Sequence, residues 1–271
     1  MPLKFLIATA LAAALTAFPM AAGSLDDGWR QRPFRVVLVP ADGGTEDGTR
    51  ADFQPLSRPA GSGERRIHYF EQTEHGRALC RTERYIEDHA GLRSLITEGV
   101  LPEVAAELLG EGAVLYKEKV NYKQPGGAGF APHQDATAYA FIKHHVTCMV
   151  AVDPMTSENG CLEFSPYARS DLLPENGEGC IASALAGRLE WRTVEVPAGG
   201  VVFFTSYVPH QSGFNRSAKP RRALYLTYNA ASEGDRRAEY YAERDKAMAT
   251  PGAEGKARIS VIGHFQGEPA P

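Results

Sequence analysis

The chain has 271 residues and a formal net charge of −4. Its composition, 43% hydrophobic and 23% charged, is ordinary for globular proteins and excludes disorder throughout; the length suits one large domain or two small ones. The acidic balance disfavours a general nucleic-acid binder, so no nucleic-acid partner is expected.

Residues 1–23 have the pattern of a secretory signal peptide. A positive Lys4 precedes the apolar run 5–17, and the small residues Ala21 and Gly23 stand before Ser24. The alternatives are an Ala-rich N-terminal helix or a wrongly assigned start. No other stretch reaches 18 apolar residues, so we expect no transmembrane helix and no membrane partner. Residues 24–63 form a poorly structured lead-in in which only 34–40 resembles a strand.

Downstream, short strands separated by turns dominate. Residues 92–109 hold two short helical patterns, with Pro102 in the first turn of the second. The predicted strands are 114–122, 146–153, 161–164, 191–196, 201–206 and 223–229, and a charged helix follows at 235–249, capped by Ser232. This pattern predicts a mainly β fold with flanking helices, an antiparallel sandwich or jelly roll at 64–232, followed by a C-terminal helix and tail at 233–271.

The four cysteines form no CxxC pair, which argues against a zinc ribbon or finger. They are also too sparse for a disulfide scaffold, so buried or half-buried thiols are expected.

Strand 114–122 carries an unusual run of lysines. Because successive side chains point to opposite faces of a strand, one face is expected to hold Lys117, Lys119, Asn121 and Lys123. The opposite face is expected to hold Tyr116, Glu118, Val120 and Tyr122.

The pattern His133-Gln134-Asp135, together with His210, has the composition of a metal site. Two imidazoles and one carboxylate form the facial triad of non-haem Fe(II) oxygenases. Residues two apart on an extended segment point the same way, so His133 and Asp135 can reach one ion. A lone HxD pattern is weak and is more often structural.

The residues after His210 strengthen the hypothesis. Ser212 lies two positions further on, and Arg221 lies eleven further on at the start of a strand. A guanidinium binds a carboxylate in a fork-to-fork pair, and a nearby hydroxyl completes the contact. This pair suits the far carboxylate of 2-oxoglutarate. Strand alternation lets only one of Arg221 and Arg222 point inward.

Residues 116–229 resemble the phytanoyl-CoA dioxygenase family of Fe(II)/2-oxoglutarate oxygenases. The resemblance rests on NYKQPGGAGFAPHQD, ENGCLEFSP, GGVVFFTSYVPHQSGFNRS and RRALYLTYN. It implies a double-stranded β-helix, cupin-like, that uses Fe(II), 2-oxoglutarate and O₂. It implies iron ligands His133, Asp135 and His210, 2-oxoglutarate contacts Arg221, Ser212 and Asn121, and an aromatic Tyr139 near the metal.

Upstream, residues 79–92 resemble the family's helical lead-in, and Arg81 matches a basic residue that reaches the co-substrate in some members. The first sixty residues do not match the family's usual opening.

If Asn121 faces the co-substrate, Lys117, Lys119 and Lys123 share its face, and Lys119 is expected to reach the prime substrate. This lining favours a small polar, anionic metabolite such as an aminoalkylphosphonate, hydroxylated with release of succinate and CO₂. The alternative places these lysines on a solvated rim. A non-catalytic jelly-roll binding protein and a hydroxylase of an acyl-CoA or apolar substrate remain open.

A zinc hydrolase is disfavoured by the Ser212 and Arg221 pair, and a halogenase by Asp135. Since iron, 2-oxoglutarate and reductant are chiefly intracellular, a cytoplasmic location is expected over export. The sequence leaves the oligomeric state open.

Overall fold

The computed structural model describes residues 34–37, 66–74, 76–166, 171–249 and 268–269. The predicted signal segment and most of the lead-in lie outside these ranges. The strands are β1 Phe34–Val37, β2 Ile67–Thr73, β3 Gly76–Glu83, β4 Ala113–Lys123, β5 Phe130–His133, β6 His145–Ala151, β7 Leu162–Phe164, β8 Arg192–Val194, β9 Val201–Thr205, β10 His210–Ser212, β11 Arg221–Ala230 and β12 Glu268–Pro269. The α-helices are α1 Ala90–Thr97, α2 Val100–Leu109, α3 Ser183–Ala186 and α4 Arg237–Ala249.

The strands form two antiparallel sheets. The larger has the order β1-β9-β6-β11-β4-β3-β2-β12, and the smaller has the order β5-β10-β7-β8. Met149 and Phe204 of the larger sheet and Phe164 of the smaller belong to one buried cluster, so the two sheets pack face to face. This arrangement confirms the predicted mainly β jelly roll.

The larger sheet is covered on both faces, which explains its apolar strands. On β9, Val202 and Phe204 face the smaller sheet, whereas Phe203 packs in the cluster formed with α1 and α2. Ile96 of α1 and Leu101 of α2 belong to that second cluster. A strand buried on both faces reads as a continuous hydrophobic run, as VVFFT does.

The first half of the sheet differs from the sequence-based prediction. Strands β2 and β3 form a hairpin that the sequence pattern did not indicate. Residues 79–92 were expected to be a helical lead-in, but 79–83 belong to strand β3. The helix begins only at Ala90, where the His89 side chain caps it by accepting from the Leu92 amide. Pro102 does lie in the first turn of α2, as predicted.

A bulge in β4 changes which side chains share a face. Lys117 pairs with Thr227 and Leu115 pairs with Tyr228, so Tyr116 is the extra residue. Its ring therefore packs with Tyr139 and Tyr240 rather than with Val120, and the prediction for Tyr116 was wrong.

The last helix also begins later than predicted. Helix α4 starts at Arg237, whose amide donates to the Asp235 carboxylate. Ser232, the predicted cap, lies in a 3-10 turn and hydrogen-bonds Glu111 instead. None of the helices in the described ranges is long and apolar enough to cross a membrane.

Candidate metal centre and active-site pocket

Two paired strands and a short turn bring the predicted triad together. His133 ends β5, His210 begins β10, and the two residues are directly opposite each other. Asp135 opens a 3-10 turn immediately after β5. One Asp135 oxygen lies 3.9 Å from His133 Nε2 and the other 4.0 Å from His210 Nε2. The three ligand atoms lie within 4.8 Å of one another, so they can surround one ion.

Backbone carbonyls orient both imidazoles. His133 Nδ1 lies 2.7 Å from the Ala131 oxygen, and His210 Nδ1 lies 3.0 Å from the Val208 oxygen. An Nδ1–H that donates to a carbonyl leaves Nε2 unprotonated and directed at the carboxylate. This is the tautomer that a metal-binding histidine needs.

The charge state of the triad also suits a cation. Burial lowers the pKa of His133 to about 3 and lowers that of His210, so both rings are neutral. Burial by itself would raise the pKa of Asp135, but the positive charge of Lys119, with a smaller effect of Lys117, holds it below its ordinary value. Two neutral imidazoles and one carboxylate are the donor set of a divalent transition metal.

Gln134, the middle residue of the HxD pattern, joins the triad to neighbouring loops. Its side-chain nitrogen donates to the carbonyls of Asp171 and Tyr207, and its oxygen accepts from the Leu173 amide at 2.7 Å. Sequence reasoning passed over this residue because its three partners lie 37 to 73 positions away.

Next to the triad, Arg221 and Ser212 lie where the sequence predicted a carboxylate clamp. Arg221 is 2% exposed, and one of its terminal nitrogens donates to the Gly160 carbonyl at 2.6 Å. Its Nε is buried and has no hydrogen-bond partner among the described residues. Such a donor lacks its acceptor and fits an incoming carboxylate. Arg222 points the other way and pairs with Asp153, as strand alternation predicts.

Lys123 also belongs to this cluster. Sequence reasoning placed it on the same strand face as Asn121 but did not include it in the predicted carboxylate clamp. It pairs with Arg221 across β4 and β11. Its ammonium donates to Ser212 Oγ at 2.9 Å and to the carbonyls of Gly213 and Gly160 at 2.6 and 3.2 Å. Burial, followed by repulsion from Arg221, lowers its pKa to about 6. An anion bound here would relieve that repulsion.

The Gly160 carbonyl accepts hydrogen bonds from both Arg221 and Lys123. The φ of Gly160 is +71°, a conformation that side chains disfavour, and a Cβ would stand 2.3 Å from the Gly213 oxygen. The glycine of the sequence ENGCLEFSP is therefore required by a close backbone approach.

Arg81 and Asn121 are directly opposite each other on β3 and β4. Arg81 Nε donates to the Asn121 side-chain oxygen at 3.1 Å, and its Nη1 lies 3.4 Å from the fully buried Glu83. The structure thus brings the predicted Arg81 and Asn121 together and shows that each has a protein partner.

Lys117 and Lys119 line the same cavity as the triad. Lys117 is buried with its ammonium 4.7 Å from the centre of the Tyr139 ring, and Lys119 is half-buried 5.1 Å from that of Tyr225. This placement contradicts the alternative of a solvated rim. Tyr139 is buried beside the cavity, and its hydroxyl lies 3.1 Å from Thr227 Oγ1.

Burial lowers the pKa of Lys117 to about 8, with Glu83 and Asp135 opposing the shift. Burial, followed by repulsion from Lys117 and Arg81, lowers that of Lys119 to about 7. The positive charges that line the cavity therefore outnumber its carboxylates. Such an excess of positive charge is typical of an anion-binding site.

The cavity has a volume of about 220 Å³. The two sheets and the turn after β5 contribute the triad, Arg221, Ser212 and the lysines, and α4 contributes part of the remaining wall. All four cysteines are buried free thiols, as predicted.

Comparison with known proteins identifies the family. The phytanoyl-CoA dioxygenase (PhyH) profile matches residues 41–223, which is more than half of the chain. The chain belongs to the phytanoyl-CoA dioxygenase family. The match begins within the first sixty residues, a region in which the sequence motifs had shown no resemblance.

Two named relatives are similar over most of the chain. A methylphosphonate hydroxylase from Gimesia maris is 51% identical over 211 residues, 76% of this chain and 81% of the relative. A 2-aminoethylphosphonate dioxygenase from an uncultured bacterium is 42% identical over 183 residues, 66% of this chain and 70% of the relative. The prediction of a dioxygenase is confirmed by these relatives and by the family.

Solved structures share the fold at low identity. EctD from S. alaskensis, crystallised with 2-oxoglutarate and 5-hydroxyectoine, has a TM-score of 0.61 and 19% identity, with 79% of this chain and 78% of EctD covered. The epimerase SnoN, in complex with Fe³⁺, alpha ketoglutarate and nogalamycin RO, has a TM-score of 0.60 and 21% identity, covering 75% of this chain and 81% of SnoN.

Proposed function

We propose that this protein is an Fe(II)- and 2-oxoglutarate-dependent dioxygenase that hydroxylates a small organophosphonate. The observation that carries the proposal is the joining of three features in one cavity. A His-Asp-His triad lies beside a buried carboxylate clamp, and lysines with lowered pKa values line the space beyond them.

His133, Asp135 and His210 would hold the iron. Their Nε2 and carboxylate atoms converge, and their protonation states leave all three free to coordinate. Bound there, iron with O₂ supplies the oxidising power for attack on a C–H bond.

The clamp would hold the far carboxylate of 2-oxoglutarate. Arg221 offers its unpartnered Nε, and Ser212 and Lys123 lie beside it. The overall reaction balances as R–H + 2-oxoglutarate + O₂ → R–OH + succinate + CO₂. One oxygen atom enters the substrate and the other enters succinate, and decarboxylation supplies two electrons.

The remaining cations favour a phosphonate as the prime substrate. Lys117 and Lys119 carry no hydrogen bond from the described residues, and a phosphonate would give each an anionic partner. The names of the two relatives, a methylphosphonate hydroxylase and a 2-aminoethylphosphonate dioxygenase, support the same class. A long acyl-CoA would bury apolar surface against these charges at high cost, which disfavours the apolar alternative.

Two measurements test this function. Anaerobic addition of Fe(II) and then 2-oxoglutarate should produce a weak visible charge-transfer band, which a binding protein that lacks the co-substrate site would not show. Methylphosphonate and 2-aminoethylphosphonate should stimulate succinate release, whereas carboxylate and neutral analogues should do so less. Succinate release that is stimulated only by apolar or neutral compounds would reject the phosphonate assignment.

A further inference from the structure

One face of the C-terminal helix forms a wall of the active-site cavity. The α4 residues that line it are Tyr240, Glu243, Arg244 and Ala247. Their spacing of i, i+3, i+4 and i+7 places them on a single stripe of the helix. The wall is therefore a continuous surface of one rigid element.

Ion pairs connect this helix to β4 and to the segment that follows β3. Arg237 at its start bonds both Glu87 and the fully buried Glu118. Further along, Asp245 receives two hydrogen bonds, of 3.1 and 2.9 Å, from Arg84. These contacts hold the cavity-lining stripe in place, as a surface that positions a ligand requires.

The two charged residues of the stripe are not equivalent. Arg244 lies 3.7 Å from the Glu83 carboxylate, which offsets its charge. Glu243 is exposed at the cavity, and its carboxylate makes no hydrogen bond or ion pair with the described residues. It therefore adds an unpaired negative charge to a lining in which cations outnumber the other acidic residues, Glu71 and Asp135.

Glu243 and Lys117 both line the part of the cavity that borders Tyr240. The Lys117 ammonium lies 5.3 Å from the centre of the Tyr240 ring. Glu243 follows Tyr240 by three residues, about 4.5 Å along the helix axis. A phosphonate bound at Lys117 would share the cavity with this carboxylate, so the remote end of a short substrate can approach it.

We propose that Glu243 selects substrates whose end remote from the phosphonate is cationic, so that the preferred substrate is an aminoalkylphosphonate. This inference rests on the proposed phosphonate hydroxylase activity. It adds the recognition of a primary ammonium, a group that a phosphonate with an uncharged alkyl chain lacks.

The test compares 2-aminoethylphosphonate with propylphosphonate, which has a similar size but no charge at that end. The ratio of their kcat/KM values should fall about two- to five-fold in Glu243→Gln, the range typical of a solvent-accessible charge pair. Glu239→Gln is the matched control, because Glu239 lies on the same helix, is paired with Arg236 and does not line the cavity. Its ratio should equal that of the wild type.

A charge reversal extends the test. Glu243→Lys should lower the same ratio further and should favour 3-phosphonopropanoate, whose remote end is anionic. An unchanged ratio in both Glu243 variants, with both phosphonates still turned over, would overturn the role of Glu243 and leave the proposed function standing. Failure of every phosphonate to stimulate succinate release in the wild-type enzyme would overturn both.

Discussion

Replacing Gly160 by alanine tests whether one backbone carbonyl organises the carboxylate clamp. That carbonyl accepts from Arg221 at 2.6 Å and from Lys123 at 3.2 Å. At φ +71° an alanine is strained, and its Cβ would stand 2.3 Å from the carbonyl oxygen of Gly213, which is itself a partner of Lys123. The backbone must shift, and it moves two acceptors of the clamp when it does.

The expected losses of stability and of 2-oxoglutarate affinity come from separate effects. The left-handed conformation costs an alanine about 1–2 kcal/mol, and relieving the clash adds about 1–3 kcal/mol of lost stability. Misplacing hydrogen bonds from charged donors costs about 1.5–3 kcal/mol, which corresponds to roughly 10- to 100-fold weaker binding of 2-oxoglutarate.

The assay measures the unfolding free energy and the KM for 2-oxoglutarate. Gly199→Ala is the matched control: Gly199 has φ +79°, but no atom lies within 4 Å of a Cβ built there. This variant should show only the loss of stability caused by the left-handed conformation, and its KM for 2-oxoglutarate should stay at the wild-type value. Fe(II) affinity should stay near the wild-type value in both variants.

A Gly160→Ala enzyme with the stability of Gly199→Ala and an unchanged KM for 2-oxoglutarate would refute this reasoning. It would mean that the carbonyl does not set the position of the two cations.

Arg221→Ala should raise the KM for 2-oxoglutarate by about two orders of magnitude, since a charge-assisted bidentate contact is worth a few kcal/mol. Binding of 2-oxoglutarate at pH 7.5 should take up protons, because an anion raises the pKa of Lys123 from about 6; calorimetry in buffers of different ionisation enthalpy should detect this uptake and find it reduced in Lys123→Met. Arg237→Ala should lower the unfolding free energy by about 3–5 kcal/mol in denaturant titrations, because it leaves Glu118 buried without its cationic partner.

The Arg221 and Arg237 predictions each have a matched control variant. Arg222→Ala should keep its KM, since Arg222 faces Asp153. Arg236→Ala removes an exposed pair with Glu239 and should change stability by less than about 1 kcal/mol. Equal effects of the Arg237 and Arg236 changes would show that the buried network does not stabilise the helix. Identical proton uptake in Lys123→Met would assign the uptake to another group.

Sequence reasoning predicted that His133, Asp135 and His210 lie together and that Arg221 lies near them, and the structure places them around one cavity. Much of the signal for this placement is local. Residues two apart on an extended segment point the same way, which brings His133 and Asp135 together, and the same alternation on β11 lets only one of Arg221 and Arg222 point inward. Apolar runs and turn residues also indicated most of the later strands. These features depend on neighbours a few positions away.

The sequence alone could not reveal the partners of these residues. Lys123 reaches Ser212 across 89 positions, and its place in the clamp depends on the register of β4 against β11. The bulge at Tyr116 reversed a prediction based on strict alternation, because one extra residue shifts every side chain before it.

The sequence by itself therefore determined the chemistry that this protein can perform: the ligand types, their spacing and the surplus of lysines on one strand. The tertiary structure decided how that chemistry is enclosed. It set the Gly160 turn against Arg221 and Lys123, and it placed one stripe of α4 over the cavity. Such contacts join segments far apart in the chain, and the packing of the whole fold, not local periodicity, selects them.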